Sequence, residues 1–200
     1  MPRLFKVEAA IAALDAGGIV AVPTDTVYGL AAEVSQPSAV AALFSLKHRP
    51  TFVPIPVLVD SVEQIEFLDV EWPDEAQGLA EAFWPGALTI IIPVPHELSV
   101  MLGGEGDTAG FRIPDDDDLR RMMAVLGPFA VTSANEHGEM PCHSAYEVLE
   151  RFRSRDELKG VIDGGERSGD VSSVVDLSVT PWRVLREGAV STAELARVLN

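Results

Sequence analysis

The sequence predicts a layered α/β domain in which helices flank a mixed β-sheet. Helical and extended patterns alternate from one end of the chain to the other, which is typical of this class. No internal repeat, low-complexity tract or evident linker interrupts them. The 200 residues are 47% hydrophobic, enough for one substantial core. We therefore expect a single domain over residues 1–200.

The first half of the chain alternates helices with short buried strands. Apolar residues between Val7 and Leu14 recur at helical spacing, and Gly17 with Gly18 closes that helix. The stretch "QPSAVAALFSLKHRP" predicts a helix that ends before Pro50, since the residue before a proline avoids the helical region. The other elements are strands at "GIVAVP" and "IPVLV", a helix near 61–68 with Ser61 and Gln64 as a capping box, and a helix over 74–83.

The second half begins with a strand that we expect near the middle of the sheet. "ALTIIIPV" is continuously apolar, as in strands buried on both faces. The further elements are strands at "TAGFRIP" and "PFAVTSAN", a helix at "DDDDLRRMMAVLG", a helix from Ser144 to about Arg153, strands at "GVIDGG", "SSVVDLS" and "WRVLREG", and a last helix capped by Ser191 with Glu194.

Composition limits the possible partners and the compartment. The formal net charge of −16 disfavours a broad grip on nucleic acid, although a local cationic pocket is compatible with it. One cysteine, Cys142, fits a reducing compartment and excludes an intrachain disulfide. The N-terminus lacks a signal-peptide pattern, and the longest apolar run, 87–94, is too short to span a membrane. These features predict a soluble, cytoplasmic protein.

Four of the 15 basic residues lie at predicted strand or helix ends: Lys47, Arg49, Arg112 and Arg186. In α/β proteins, ligands bind at the loops that follow strand ends. Converging cations suit a polyanion such as a nucleoside triphosphate, because guanidinium groups fork onto phosphate or carboxylate oxygens. The alternative, that each cation simply pairs with a surface acid, remains open at this point.

Hydroxyl and amide side chains cluster in three turn-forming segments. Thr26 lies in "PTDTVYGL", Ser133 and Asn135 in "TSAN", and Ser172 in "SSVVD". Each could contact phosphate or orient a substrate, and each could equally serve as turn, helix-cap or structural chemistry. Standard sites are absent: there is no P-loop, no serine-hydrolase elbow and no metal spacing among the histidines. Cys142 is interpreted as a small buried residue rather than a nucleophile.

In order along the chain, these segments resemble the YrdC-like family of L-threonylcarbamoyl-AMP synthases. The matching segments, which run from Pro23 to Gly188, are "PTDTVYGL", "KHRP…PI", "WPGALT", "FRIP", "TSAN", "SSVVD" and "REG". The resemblance implies a twisted mixed sheet around a concave cleft, in the short single-domain form. It also implies a reaction: L-threonine, bicarbonate or CO2, and ATP give threonylcarbamoyl-AMP and pyrophosphate. A separate transferase complex then modifies a tRNA adenosine next to the anticodon.

The resemblance also implies roles for individual residues. The catalytic set that faces the ATP phosphates is Lys47, Arg49, Ser133 and Asn135. Thr108 and Arg186 are expected at the nucleotide, and the threonine contacts are Thr26, Arg112, Val131 and Ser172. Mg2+ is expected on the phosphates, held by ATP oxygens and water, because the sequence offers no cage of metal ligands.

The sequence departs from the family pattern at a few positions. Val53 and Leu58 occupy positions where some members have polar residues that touch ATP and threonine, whereas Ala87 and Ser173 are conservative replacements. Two alternatives to the synthase are therefore kept. One is a module that binds double-stranded RNA or tRNA, which the acidity disfavours. The other is a nucleotide-binding carbamoyl-transfer protein with a different substrate.

Overall fold

The computed structural model describes residues 1–199, and its framework is a ten-stranded sheet. The strands are β1 (Arg3–Phe5), β2 (Ile19–Pro23), β3 (Tyr28–Glu33), β4 (Val57–Leu58), β5 (Leu88–Pro93), β6 (Thr108–Arg112), β7 (Phe129–Ser133), β8 (Leu158–Ile162), β9 (Ser173–Asp176) and β10 (Arg183–Arg186). The helices are α1 (Val7–Asp15), α2 (Pro37–Lys47), α3 (Glu63–Glu66), α4 (Asp74–Phe83), α5 (His96–Met101), α6 (Asp117–Leu126), α7 (Ala145–Arg151) and α8 (Thr192–Leu199).

The sheet contains both parallel and antiparallel strand pairs, which confirms the predicted mixed α/β fold. The strand order is β1-β8-β2-β3-β7-β4-β6-β5-β9-β10. The pairs β1–β8, β8–β2, β4–β6 and β5–β9 are parallel, and the others are antiparallel. The predicted central strand β5 lies inside the sheet, between β6 and β9. Its apolar run is therefore buried against neighbours on both edges.

Helices cover both faces of the sheet and bury two hydrophobic cores. Along β2 the side chains alternate between them: Ile19 and Ala21 pack into the larger core, Val20 and Val22 into the smaller. This is the period-two alternation of a strand covered on both faces. The smaller core lies under α1 and α6, and the larger one lies under the helices of the opposite face.

Capping chemistry confirms two helix starts and corrects a third. The Ser144 hydroxyl accepts from the Glu147 N–H at 3.2 Å, and the Ser191 hydroxyl accepts from the Glu194 N–H at 3.3 Å. The capping box predicted for Ser61 and Gln64 is wrong. The Gln64 side chain instead accepts from the Asp60 N–H and donates to the Met123 carbonyl of α6. It is therefore not available to cap the helix. Helix α3 is accordingly a single short turn.

Other elements were not anticipated from the sequence. Strand β3 (Tyr28–Glu33), helix α5 and strand β1 are not among the elements predicted from the sequence. Strand β3 depends on its pairing with both β2 and β7, which local sequence does not encode. Within residues 1–199, the structure contains no helix long and apolar enough to cross a bilayer.

The smaller core provides a direct test of packing under α6. Met122 is fully buried there, whereas Val125 on the same helix is 68% exposed. Met122→Ala is expected to lower the free energy of unfolding by about 2–5 kcal/mol, because it leaves a cavity beside the sheet. Val125→Ala should change it by less than about 0.5 kcal/mol. Urea denaturation of both variants checks this, and equal losses would contradict the assigned packing.

Candidate active site

A cleft of about 240 Å³ lies where several strands end on one face of the sheet. Val131 and Leu58 line it and also belong to the smaller core, so it opens on the face covered by α1 and α6. Its polar walls come from the β2–β3 turn and from the ends of β5, β6, β7 and β10. The polar and charged lining residues are Thr24, Thr26, Tyr28, Arg49, Thr89, Arg112, Thr132, Ser133, Asn135, Glu139, Ser172 and Arg186.

The Lys47–Arg49 segment leaves α2 through a Schellman motif. The Arg49 N–H bonds the Phe44 carbonyl at 2.9 Å, and the His48 N–H bonds the Ser45 carbonyl at 3.2 Å. His48 occupies the left-handed region with φ 50°, as the motif requires of the residue after the helix. The helix therefore stops at His48, before Pro50 can interrupt it. This sharp exit separates the directions of Lys47 and Arg49.

Lys47 is buried behind the cleft wall rather than exposed in it, with 1% of its surface accessible. Its Nζ donates to the carbonyl oxygen of Ser133 and to Asn135 Oδ1, the latter at 3.1 Å. Ser133 Oγ donates to the same Asn135 oxygen. Burial, followed by the charge of Arg49, lowers the pKa of Lys47 from 10.5 to about 7. Through these hydrogen bonds the Lys47 amine holds the end of β7 and the turn that follows it in place.

Arg49 lies at the mouth of the cleft and is anchored by backbone carbonyls. Its Nε donates to the Val53 carbonyl at 2.9 Å, and Nη2 donates to the Pro54 carbonyl at 2.8 Å. Neither partner carries charge, so the guanidinium charge is not neutralised by these contacts. Burial lowers the pKa of Arg49 below its ordinary value. Val53 thus contributes through its backbone and does not line the cleft, whereas Leu58 does.

The turn between β2 and β3 presents Thr26 to the cleft. Thr24 Oγ1 accepts from the backbone N–H groups of Thr26 and Val27 at 3.1 and 3.2 Å, which closes the turn. Gly29 allows β3 to approach β7 closely, because a Cβ there would lie 2.6 Å from Val131 Cγ1. In this turn, Thr24 closes the backbone by hydrogen bonds and Thr26 lines the cleft.

Arg112 ends β6 and is almost fully buried at the base of the cleft. Its Nε donates to the Gly86 carbonyl at 2.9 Å, Nη1 donates to Thr26 Oγ1 at 3.4 Å, and Nη2 donates to Asp25 Oδ1 at 2.6 Å. Burial lowers the pKa of Arg112, while the Asp25 carboxylate acts in the opposite direction. The guanidinium is thus fixed from three sides.

Arg186, at the end of β10, lines the cleft together with Ser172. Its Nε donates to the Ser172 carbonyl at 2.8 Å and its Nη2 to the Ser172 hydroxyl at 3.0 Å. That hydroxyl also lies 3.0 Å from Thr89 Oγ1. Burial, followed by the charge of Arg112, lowers the pKa of Arg186. Two guanidinium groups therefore influence each other across one small cleft.

The tight turn after β10 depends on Gly188. A Cβ at Gly188 would lie 2.0 Å from the Val171 carbonyl oxygen, so no other residue fits without a shift of the backbone. The Gly188 N–H donates to Ser173 Oγ at 2.8 Å. Ser173 thus has a structural role, because its hydroxyl ties this turn to β9. Serine and the threonine that is usual in the family both supply this hydroxyl.

The structure brings together nearly all of the residues predicted for the site. The predicted residues that line the cleft are Thr26, Arg49, Arg112, Val131, Ser133, Asn135, Ser172 and Arg186. Lys47 lies directly behind Ser133 and Asn135. Thr108 lies at the opposite end of β6 from Arg112 and does not line the cleft, so its nucleotide contact stays a prediction. Among the described residues, sequence reasoning missed Thr89 and Glu139, which line the cleft, and the pairing of Asp25 with Arg112.

The described residues that line the cleft are mainly arginines, hydroxyls and an amide, and the Cys142 thiol is not activated as a nucleophile. Burial raises the pKa of the Cys142 thiol to about 11, which makes the thiolate scarce at neutral pH. Within the described part of the chain, no three His, Cys, Asp or Glu side chains are grouped as a metal site. Such a cleft defines a class of protein that binds and aligns anionic substrates.

Comparison with known proteins shows the family. A protein-family model described as "Telomere recombination", for the Sua5/YciO/YrdC proteins, matches residues 12–188. The chain therefore belongs to the Sua5/YciO/YrdC family. A putative threonylcarbamoyl-AMP synthase of Mycobacterium tuberculosis is 39% identical over 199 residues, which cover 99% of this chain and 91% of that protein.

An archaeal relative is similar in both sequence and structure. The threonylcarbamoyl-AMP synthase of Pyrococcus abyssi is 36% identical over 98% of this chain and 58% of its own length. The crystal structure of P. abyssi Sua5 complexed with L-threonine matches with a TM-score of 0.87, covering 96% of this chain and 57% of that one. The chain thus spans most of the mycobacterial relative and little more than half of the archaeal one. The predicted YrdC-like fold is confirmed.

The pKa of Lys47 predicts a distinct pH dependence of stability. Between about pH 7 and pH 10.5 the unfolded chain holds a proton on Lys47 that the folded protein has lost. Unfolding then takes up a proton, so this residue makes the free energy of unfolding rise with pH in that interval, by at most about 1.4 kcal/mol per pH unit. Below pH 7 its destabilising effect is complete.

Lys47→Met isolates this effect, because it removes the titrating group and keeps an unbranched side chain. The difference in unfolding free energy, wild type minus variant, should increase from pH 7 to pH 9 in urea denaturation. Lys159→Met removes an exposed lysine and serves as the control, with a difference that stays flat. A flat difference for Lys47→Met as well would show that Lys47 is charged in the folded protein over this range.

Proposed function

We propose that this chain is an L-threonylcarbamoyl-AMP synthase, which forms threonylcarbamoyl-AMP and pyrophosphate from L-threonine, bicarbonate or CO2, and ATP. The observation that carries this proposal is the convergence of Arg49, Arg112 and Arg186 on one cleft in a chain with net charge −16. Clustered cations in so acidic a protein indicate an anionic ligand. The family and its named relatives supply the reaction.

The chemistry requires alignment more than a protein nucleophile. The threonine amine attacks CO2 to form a carbamate and releases a proton. A carbamate oxygen then attacks the α-phosphorus of ATP, the bond to the bridging oxygen breaks, and pyrophosphate leaves. Transfer of this kind is accelerated by positioning and by neutralisation of negative charge. A cleft of arginines and hydroxyls without a nucleophile fits this need.

The wall formed by Arg49, Ser133 and Asn135 is assigned to the ATP phosphates. Arg49 has a guanidinium anchored only to neutral carbonyls, so its charge remains available for phosphate oxygens. Lys47 supports this wall from behind through Ser133 and Asn135. Triphosphate in the cleft would favour the protonated form of Lys47, since nearby negative charge raises the pKa of an amine. Arg186 is the further nucleotide contact expected inside the cleft, and a contact with Thr108 would require the nucleotide to extend beyond the cleft toward the other end of β6.

The opposite side of the cleft is assigned to L-threonine. Arg112 would receive the carboxylate, and Thr26 and Ser172 would contact its polar groups. Val131 and Leu58 supply an apolar surface for the methyl group. Leu58, which replaces a polar residue of some family members, would thus contact the threonine methyl group. The sugar and base of ATP would extend from the cleft mouth.

Mg2+ is expected with the substrate rather than in a protein cage. The described residues do not gather three acidic, histidine or cysteine side chains at one point, so they do not fit a resident metal site. ATP oxygens and water would hold the ion. We further expect the product to be consumed by a tRNA-modifying transferase complex in the cytoplasm.

Removal of Arg49 tests the assigned phosphate wall. Arg49→Ala should lower kcat/KM for threonine-dependent pyrophosphate release by about 100-fold or more, because it removes a positioned charge from the phosphates. Arg153→Ala, which removes an exposed arginine after α7, is the control and should retain full activity. The assay contains L-threonine, bicarbonate and Mg-ATP, with product identified by mass spectrometry. Wild-type turnover in Arg49→Ala would remove Arg49 from the mechanism.

The apolar wall predicts which amino acid is preferred. Threonine should exceed serine in kcat/KM by about fivefold or more, because one methyl group buried against Val131 and Leu58 is worth at least about 1 kcal/mol. Pyrophosphate release measured with each amino acid checks this. Equal rates would place the methyl group outside the apolar wall and favour a carbamoyl-transfer protein with another substrate.

Direct binding of double-stranded RNA or tRNA is the weaker alternative. The net charge of −16 opposes the counterion release on which such binding depends. A titration of RNA at several salt concentrations distinguishes the two readings. Tight, strongly salt-dependent binding together with no threonine-dependent adenylate would overturn the synthase proposal.

A further inference from the structure

Asp25 forms a buried ion pair with Arg112 without itself lining the cleft. The two side chains are 15% and 7% exposed, and Asp25 Oδ1 lies 2.6 Å from Arg112 Nη2. Arg112 lines the cleft, as do Thr24 and Thr26 on either side of Asp25 in the chain. Asp25 therefore contacts a guanidinium that lines the cleft without lining the cleft itself.

The contacts of Arg112 leave it ready for a carboxylate. A guanidinium has five N–H donors. Three of them are engaged, by the Gly86 carbonyl, by Thr26 Oγ1 and by Asp25. Two donors remain, one on each terminal nitrogen, and this number matches the two oxygens of a carboxylate. The orientation of these donors depends on the partners that hold the other three.

Asp25 supplies the only charged partner among those three contacts. The Gly86 carbonyl and the Thr26 hydroxyl are neutral, and the Thr26 bond is long at 3.4 Å. A buried guanidinium that loses its carboxylate partner is strongly destabilised in its position. The neighbouring Arg186 would also repel it, since the two charges influence each other. Without Asp25, the unpaired Arg112 guanidinium would be expected to shift toward the open cleft, where there is space for it.

We propose that Asp25 is a positioning residue for L-threonine, which holds the Arg112 guanidinium in the orientation that recognises the substrate carboxylate. This inference rests on the proposed function. Asp25 is expected to affect threonine and not ATP. Its side chain contacts Arg112, and it makes no contact with the wall of Lys47, Ser133 and Asn135 that is assigned to ATP. A defect at Asp25 should therefore appear in the use of threonine and spare the use of ATP.

Asp25→Asn tests this with little change of volume. The variant keeps an oxygen that can accept from Arg112 but loses the charge. We expect its KM for L-threonine to rise about tenfold or more, since a buried charged contact is weakened, while its KM for ATP stays within about twofold. Asp176→Asn is the matched control: it removes a buried carboxylate that pairs with Arg183 at 2.9 Å, at the far edge of the sheet. Both KM values should be unchanged in that control.

L-Threoninamide provides a readout that a merely structural role would not affect. It keeps the reacting amine but has no carboxylate for Arg112. Wild type should use it poorly, and Asp25→Asn should use it about as well as wild type does. If Asp25→Asn instead loses as much activity with the amide as with threonine, Asp25 does not act through the carboxylate, and the proposal is overturned. An unchanged KM for threonine overturns it as well.

A second variant covers the case in which Asp25→Asn is too unstable for kinetics. Asp25→Glu keeps the charge on a longer side chain and should restore part of the affinity for threonine, with a KM between those of wild type and a fully defective enzyme. A Glu variant with wild-type KM for both threonine and threoninamide but low kcat would contradict the proposal. Absence of threonine-dependent pyrophosphate release in wild type would instead reject the proposed function, so the two failures are distinguishable.

Discussion

The cleft depends on the buried amine of Lys47 and on the hydrogen bonds that this amine donates. The amine joins the end of α2 to the end of β7 through Ser133 and Asn135, two segments far apart in the chain. An ammonium at the carboxyl end of a helix is favoured by the helix dipole, but its desolvation is costly. The lowered pKa reports that cost. Lys47 is buried behind Ser133 and Asn135, whereas Arg49 lines the cleft and can contact a ligand.

The cleft shows how an acidic chain can present a cationic site. Acidic side chains exceed basic ones across the whole sequence, yet Arg49 and Arg186 face carbonyl or hydroxyl partners instead of carboxylates. Among the arginines described in the cleft, Arg112 alone has a buried carboxylate partner, Asp25. Neutral partners fix a guanidinium without cancelling its charge, and the surrounding burial strengthens its field. The excess of acids elsewhere leaves this local charge intact.

Much of the fold and site could be predicted from the sequence because their signals are local. Helix α1 follows from apolar spacing, and β5 from a continuous apolar run. Strand β3 escaped because its small residues become a strand only between two partners. The capping box at Ser61 failed for the same kind of reason, since tertiary contacts redirected the Gln64 side chain.

Residue patterns along the chain are enough to indicate the family, the alternation of helices and strands, and the unusual side chains that fall at strand ends. Which of these side chains meet, and what each one contacts, follows from the folded arrangement. It placed Lys47 behind the wall instead of in it, put Thr108 at the far end of β6, and revealed Asp25 as the partner of Arg112. The physical reason is that residue type and spacing fix local conformation, whereas burial and charge pairing depend on contacts between segments distant in the chain.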